Sequence, residues 1–206
     1  MLIADYNTNT LMIFVAPEKK ESSFEKNKGV VRIFDPVNNK TLGYNFLGIL
    51  GFKKSGPILL DKKMVEKLNK ILLRAGFKDE LIADISPKFV IGKVDSLSEH
   101  PKSKHLKIAQ VDINKKEDIQ LVSGSPNISV GIKTVVCLPG AMMPSGQIIW
   151  PGKLLGIDSY GMMASPRELN LKNAPNRPGL IVLPTNFGKI GEPFNFQRGN
   201  KLEFKK

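Results

Sequence analysis

The chain has 206 residues, 41% hydrophobic and 24% charged, with 31 Lys plus Arg against 19 Asp plus Glu and a net charge of +12. That length holds one large or two compact domains, and that balance belongs to a chain able to bury a core, neither disordered nor built for a bilayer. No apolar run approaches the roughly 18 residues of a membrane span, Asp5 interrupts any signal-peptide core, and the lone Cys137 can form no internal disulfide.

In chain order, Thr10 to Ala16, Val30 to Phe34 and Thr41 to Leu50 read as strands, the last two joined as a hairpin across the turn-prone Asp35–Asn39. Asp61 offers an N-cap. Met64, Val65, Leu68, Ile71, Leu72 and Ala75 then share one helical face, and Gly76 supplies a stop. A helix covering a small sheet is predicted, its apolar face serving as core. Asp84-Ile-Ser-Pro87 marks a boundary, because the residue before proline is pushed out of the helical region. Residues 1–86 carry 14 basic and 10 acidic side chains (+4) and residues 87–206 carry 17 and 9 (+8), so the positive excess leans to the second half.

Beyond the boundary, short strands are predicted at Phe89–Leu97, Leu106–Ile113, Ile119–Ser123, Thr134–Leu138, Gln147–Trp150, Leu154–Ser159 and Leu180–Leu183, separated by Gly, Pro and Asn. That spacing is the signature of a small β-barrel. Cys137, between Val136 and Leu138, reads as a buried hydrophobe rather than a reactive thiol.

The positive charge calls for a polyanion, unless it only solvates a lysine-rich surface. Lys88, Lys93, Lys102, Lys104 and Lys107 crowd the first hairpin against only Asp95 and Glu99, giving ammonium groups that can neutralise backbone phosphates. His100 and His105 have no third metal ligand beside them, and one cysteine with two histidines cannot make a structural zinc site, so no metal or cofactor is expected. Ser125 lacks the setting of a nucleophile and no general base is identifiable, so no enzyme is expected. Trp150 either stacks on a base or packs on the barrel rim. At 7% aromatic residues, the chain is no multi-base stacking platform, which favours folded RNA.

A more specific signal lies in Phe89-Val-Ile-Gly-Lys-Val94, His100-Pro101, Leu106, Val111-Asp112, Gly124-Ser-Pro-Asn127, Leu138-Pro-Gly-Ala141, Met143-Pro-Ser-Gly146, Ser159, Gly161-Met162 and Ser165-Pro-Arg-Glu-Leu169. This series resembles the tRNA-binding domain of the bacterial phenylalanyl-tRNA synthetase β chain and of free-standing tRNA-binding proteins. Val31-Arg-Ile-Phe-Asp35, Gly43-Tyr-Asn45 and Ser86-Pro-Lys-Phe89 resemble the small domain that precedes it in the YtpR family. The resemblance implies an α+β N-terminal domain (1–86), an all-β OB-fold barrel (87–198) and a short basic tail (199–206). It implies non-catalytic, shape-directed tRNA binding in trans in the cytoplasm, as a tRNA chaperone or an aid to an aminoacyl-tRNA synthetase, with a homodimer as a further expectation. A protein-interaction module in a translation-related complex is the alternative. The implied RNA-binding residues are Lys93, Lys102, Lys104, His105, Lys107, Asn127, Ser159, Met162, Ser165 and Arg167. The chain departs from the family pattern in having Lys104-His105 for Asp-Lys, Leu155 for a basic residue, Ala164 for cysteine and Asn170 for glycine.

Overall fold

The computed structural model describes residues 2–48 and 55–204. The chain divides into two compact units, Met1–Ser86 and Pro87–Lys206.

In the first unit, β1 (Ile3–Asn7) pairs with β2 (Thr10–Phe14), and β3 (Ser23–Asn27) with β4 (Val30–Phe34), each across a two-residue turn. Thr8 and Asn9 (φ 44 and 65), like Lys28 and Gly29 (φ 45 and 79), adopt the left-handed conformations that match the twist of paired strands. With β5 (Thr41–Leu47) and β6 (Gly56–Ile58) the sheet is antiparallel in the order β3-β4-β5-β2-β1-β6. Ile49 and Leu50, the end of the third predicted strand, lie outside the described residues. Strand alternation sends Tyr6, Leu11, Ile13, Val30, Tyr44 and Phe46 to one face, where Val65, Leu68 and Leu72 of α1 (Lys62–Arg74) cover them. Asp61 Oδ1 caps the helix by accepting the Met64 N–H at 2.7 Å. At the other end Gly76 (φ 85) lets Phe77 N–H reach Leu72 O and its own N–H reach Leu73 O, closing the last turn. The unit is β-rich with one helix. The α+β expectation therefore understated its strands, because β1, β3 and β6 were not read from the sequence.

A polar cluster locks this sheet to the chain beyond the helix. Tyr44 is fully buried, and its hydroxyl donates to Asp79 at 2.5 Å. Thr41 donates to the same carboxylate oxygen, and Arg32 Nε donates to Thr41 Oγ1 at 2.8 Å. Burial first, then the Asp79 hydrogen bond and charge, push the Tyr44 hydroxyl above its ordinary range. Burial also works to raise Asp79, but the hydrogen bonds from Thr41 and Tyr44 and the Arg32 charge prevail and lower it.

In the second unit, β7 (Phe89–His100), β8 (Ser103–Asp112), β9 (Ile119–Ser123), β10 (Lys133–Cys137) and β13 (Met162–Met163) form an antiparallel sheet in the order β13-β10-β7-β8-β9. The short β11 (Gly152–Leu154) and β12 (Ile157–Ser159) pair with each other. A register shift between Val94 and Ser96 bends the long β7. Strand β10 and the first residues of β7 are buried on both faces. Ile91, Val135 and Cys137 enter one core cluster and Val90, Val94 and Val136 the other. Residues beyond β10 supply the first cluster's cover, including Ala141, Ile149, Leu169, Ile181, Phe187 and Phe194, and the short α2 (Phe196–Gly199) lies near its end.

Three expectations change here. Gln147–Trp150 is no strand but an isolated bridge, Met142↔Ile148, with Ile149 N–H donating to Ala141 O and its carbonyl accepting from Gly140 N–H; Pro144 and Pro151, without N–H donors, flank it. Leu154–Ser159 is split into β11 and β12 by a turn. Leu180–Leu183 makes single ladder bonds, Ile181 N–H to Ala164 O and Leu183 N–H to Lys133 O, but no strand. The short basic tail packs as far as Phe204, with Leu202 and Phe204 against the core and Asn173 Nδ2 donating to Leu202 O at 3.3 Å.

Two outcomes follow from this packing. Asp79→Ala leaves the buried Tyr44 hydroxyl unsatisfied and is expected to destabilise the first unit by about 1–3 kcal/mol, read as faster hydrogen exchange in β4 and β5. Because the folded state lowers the Asp79 pKa, its contribution is present above the unfolded value of roughly 3.9 and is lost as pH falls through the folded one. The acid loss should be smaller in Asp79→Ala. Cys137 is fully buried and its thiol is pushed up to about 12, by burial first and the Glu168 charge second. A thiol reagent in native buffer should label it only after unfolding.

Candidate nucleic-acid interface

Lys102 in the turn between β7 and β8, and Lys104 and His105 at the start of β8, are all exposed. Beneath them His100 is 4% exposed. Its Nδ1 accepts the Lys102 N–H at 3.1 Å, and its Nε2 lies 3.1 Å from Leu154 O. Since Nδ1 is an acceptor, the proton is assigned to Nε2, which donates to Leu154. One neutral imidazole thus ties the β7–β8 hairpin to the β11–β12 hairpin. There, Leu155 (φ 46) and Gly156 (φ 95) form a two-residue turn, and a Cβ on Gly156 would lie 3.7 Å from Lys102 Nζ. Leu155, where the family favours a basic residue, is exposed and held at a positive φ that a leucine adopts only under strain.

The lysines differ in their surroundings. Lys93 pairs with Asp95 at 2.6 Å, and its pKa is raised by that hydrogen bond first and the Asp95 charge second, with Asp112 and Asp118 adding to the effect. This corner is acidic, and burial together with Asp95 and Asp112 raises the Asp118 carboxyl. Lys107 pairs with Glu99. Among the described residues, Lys102 and Lys104 meet no carboxylate within ion-pair distance.

The end of β9 and the loop after it line a cleft of about 550 Å³, and Lys107 of the neighbouring β8 pairs in register with its Ser123. Met162, Arg167, Ser125 and Gly179 are among its lining residues. A neighbouring hollow of about 350 Å³ shares Met162 and Arg167. Met162 is half-buried, and Arg167 is exposed, with only a 3.4 Å contact to Asn176 Oδ1. Both remain open to a ligand.

Three predicted contact residues have other partners. Ser159 is 3% exposed, with Oγ accepting the Val122 N–H at 3.1 Å and donating to Gly161 O at 3.2 Å. It joins the two edges of the five-stranded sheet, aided by Tyr160 N–H to Gln120 O. Gly161 (φ 145) permits that passage, since a Cβ would stand 2.6 Å from Cys137 O. Ser165 and Glu168 cap each other, Ser165 N–H to Glu168 Oε2 at 2.7 Å and Glu168 N–H to Ser165 Oγ at 3.2 Å. Asn127 grips Leu180 at both backbone atoms, Nδ2 to Leu180 O at 3.0 Å and Leu180 N–H to Oδ1 at 2.7 Å. Their polar groups are engaged within the protein, so these residues shape the cleft rather than present free groups to it. Sequence reasoning missed Pro178–Leu180 as cleft wall, since nothing local marks a loop that arrives from some 53 residues beyond Asn127.

Among the described residues, no group of three or more His, Cys, Asp or Glu could hold a metal, and no helix is long and apolar enough to cross a membrane. Family models match residues 17–84 as a "Domain of unknown function (DUF4479)" and residues 89–189 as a "Putative tRNA binding domain". The chain is 37% identical over 192 residues to "Putative tRNA-binding protein YtpR" of Bacillus subtilis, covering 91% of this chain and 94% of that one. The chain belongs to the YtpR family. This YtpR-family chain is also 39% identical over 126 residues to the phenylalanine–tRNA ligase beta subunit of Ralstonia nicotianae, covering 57% of itself but only 15% of that subunit. The C-terminal domain of Plasmodium vivax p43 aligns at a TM-score of 0.38 with 16% identity over 54% of this chain and 61% of that one, a likeness too slight to bear on the fold.

The His100 tie can be dissected. His100→Ala removes both bonds and should cost about 1–3 kcal/mol, with faster exchange of the Lys102 amide. His100→Asn keeps an acceptor for Lys102 and should restore that protection while leaving Leu154 unbound. Equal exchange rates in both variants would show that the ring does not hold the hairpin.

Proposed function

We propose that this chain binds tRNA through its second unit, non-catalytically and in trans, as a cytoplasmic chaperone or an aid to a synthetase. The observation that carries the reading is the pairing of exposed Lys102 and Lys104 with a cleft lined by Met162 and Arg167, in a chain similar to a "Putative tRNA-binding protein" and matched by the model of a "Putative tRNA binding domain". Lysines without carboxylate partners neutralise phosphates and release condensed counterions, whereas a thioether and a guanidinium at a cleft can meet a base and a phosphate. The five-stranded antiparallel order, with edges joined through Ser159 and Tyr160, supports an OB-fold barrel. Two groups that chemistry would use are taken up by structure: both His100 nitrogens are bonded and the Cys137 thiol is buried. The deliberate choice among the predicted contacts is therefore Lys102, Lys104, His105, Met162 and Arg167, with Lys107 and Lys93 weakened by their acidic partners.

Filter binding of the full chain to total tRNA across a salt series tests this. Lys102→Ala and Lys104→Ala should each flatten the slope of log K against log salt by about 0.7–0.9. Lys93→Ala should leave it nearly unchanged, and Met162→Ala should weaken binding at every salt concentration without altering the slope. A wild-type chain that ignores tRNA at low salt would transfer the role of this face to a protein partner.

A further inference from the structure

The first unit carries a charged surface that the cleft does not explain. On α1, Lys63, Lys67, Lys70 and Arg74 are all exposed. At 3.6 residues per turn they fall within an arc of about 60° and form a row about 16 Å long, with steps of roughly 4.5–6 Å. Lys28 adds to the end of the row by donating from Nζ to Arg74 O at 3.0 Å. Among the described residues none of the four has a carboxylate within ion-pair distance. Glu66 is the one acid on the helix.

This arrangement opposes the helix's own stability. Lys63 with Lys67 and Lys70 with Arg74 are like charges at i,i+4, each unfavourable by a few tenths of a kcal/mol. The first turn holds Lys62 and Lys63 and no acid beyond the Asp61 cap, although Arg74 in the last turn suits the dipole and Glu66 is favourably placed four residues before Lys70. Local stability does not account for the Lys63–Lys67 and Lys70–Arg74 neighbours; a polyanion laid along the row would. The opposite face, with Val65, Leu68 and Leu72, is buried against the sheet and therefore cannot enter a bilayer, as a membrane-surface helix must.

We infer that the Lys63–Lys67–Lys70–Arg74 row is a second phosphate-contacting surface, with an RNA backbone as its occupant. The inference rests on the tRNA-binding reading of the second unit and extends the RNA footprint to the first. It assigns a role to a domain that the family model describes as of unknown function.

The test uses the full chain and total tRNA over the same salt series. Lys67→Ala/Lys70→Ala should flatten the slope by about 1.5 through the loss of two phosphate contacts. Alanine is the better helix former, so the loss cannot come from unfolding of α1. Glu66→Gln should act in the opposite direction and tighten binding severalfold at low salt. If the wild-type chain binds tRNA and Lys102→Ala flattens the slope, while the α1 variants match wild type, the row is only a solvated face and this inference falls alone. If the wild-type chain does not bind tRNA, both readings fall together.

Discussion

Burial of β10 and of the start of β7 on both faces is the constraint from which the second unit follows. Val90 and Ile91, like Val135 and Val136, point into opposite cores, so a single sheet cannot bury them without a second layer. The chain beyond residue 138 provides that layer, but with Pro144, Pro151, Pro166, Pro175, Pro178 and Pro184 it cannot extend the ladder continuously. It is instead anchored by side chains and by isolated backbone bonds. Lys133 illustrates this: its ammonium donates to Thr185 O and Gly188 O, both at 2.7 Å, and fastens the covering segment to the strand beneath.

The cleft is a consequence of how that cover is fastened. Asn127 takes the place of a ladder partner for Leu180, Ser159 bridges the sheet edges, and the Ser165–Glu168 pair starts the turn that presents Arg167. Ser159 and Ser165 are buried, Asn127 and Glu168 are exposed, and each is hydrogen-bonded within the protein. What stays exposed or lines the cleft is a different set: the hairpin ammoniums, the Arg167 guanidinium and the half-buried Met162 side chain.

The first unit is held on different terms. One helix covers one face of a six-stranded sheet, and a single carboxylate, Asp79, gathers Tyr44, Thr41 and Arg32 at its edge. Arg32 is braced further by Asn39 O at 2.6 Å and Glu25 at 2.9 Å, and it lies over the Phe34 ring at 4.8 Å. Its guanidinium is therefore a structural cation. The lysines of α1 are not, and the contrast between fully partnered and unpartnered basic groups separates architecture from surface in this unit.

The sequence by itself determined the features with short-range causes. Helix α1 was legible from Asp61, its apolar period and Gly76, because cap, stripe and stop act within a few residues. β4 and β9 were legible for the same reason. Two-residue turns at Thr8-Asn9 and Lys28-Gly29 lack the usual Asn-Gly signal, so β1 and β3 escaped notice. The ordered motifs of the second half were enough to identify the family, but not to sort its polar residues. The Ser165–Glu168 cap is local, only 3 residues apart, but the partners that engage Ser159 and Asn127 lie 37 and 53 residues away. Only the tertiary structure decided that, because a hydrogen bond is satisfied by whatever the fold brings within about 3 Å, and sequence spacing does not carry that distance.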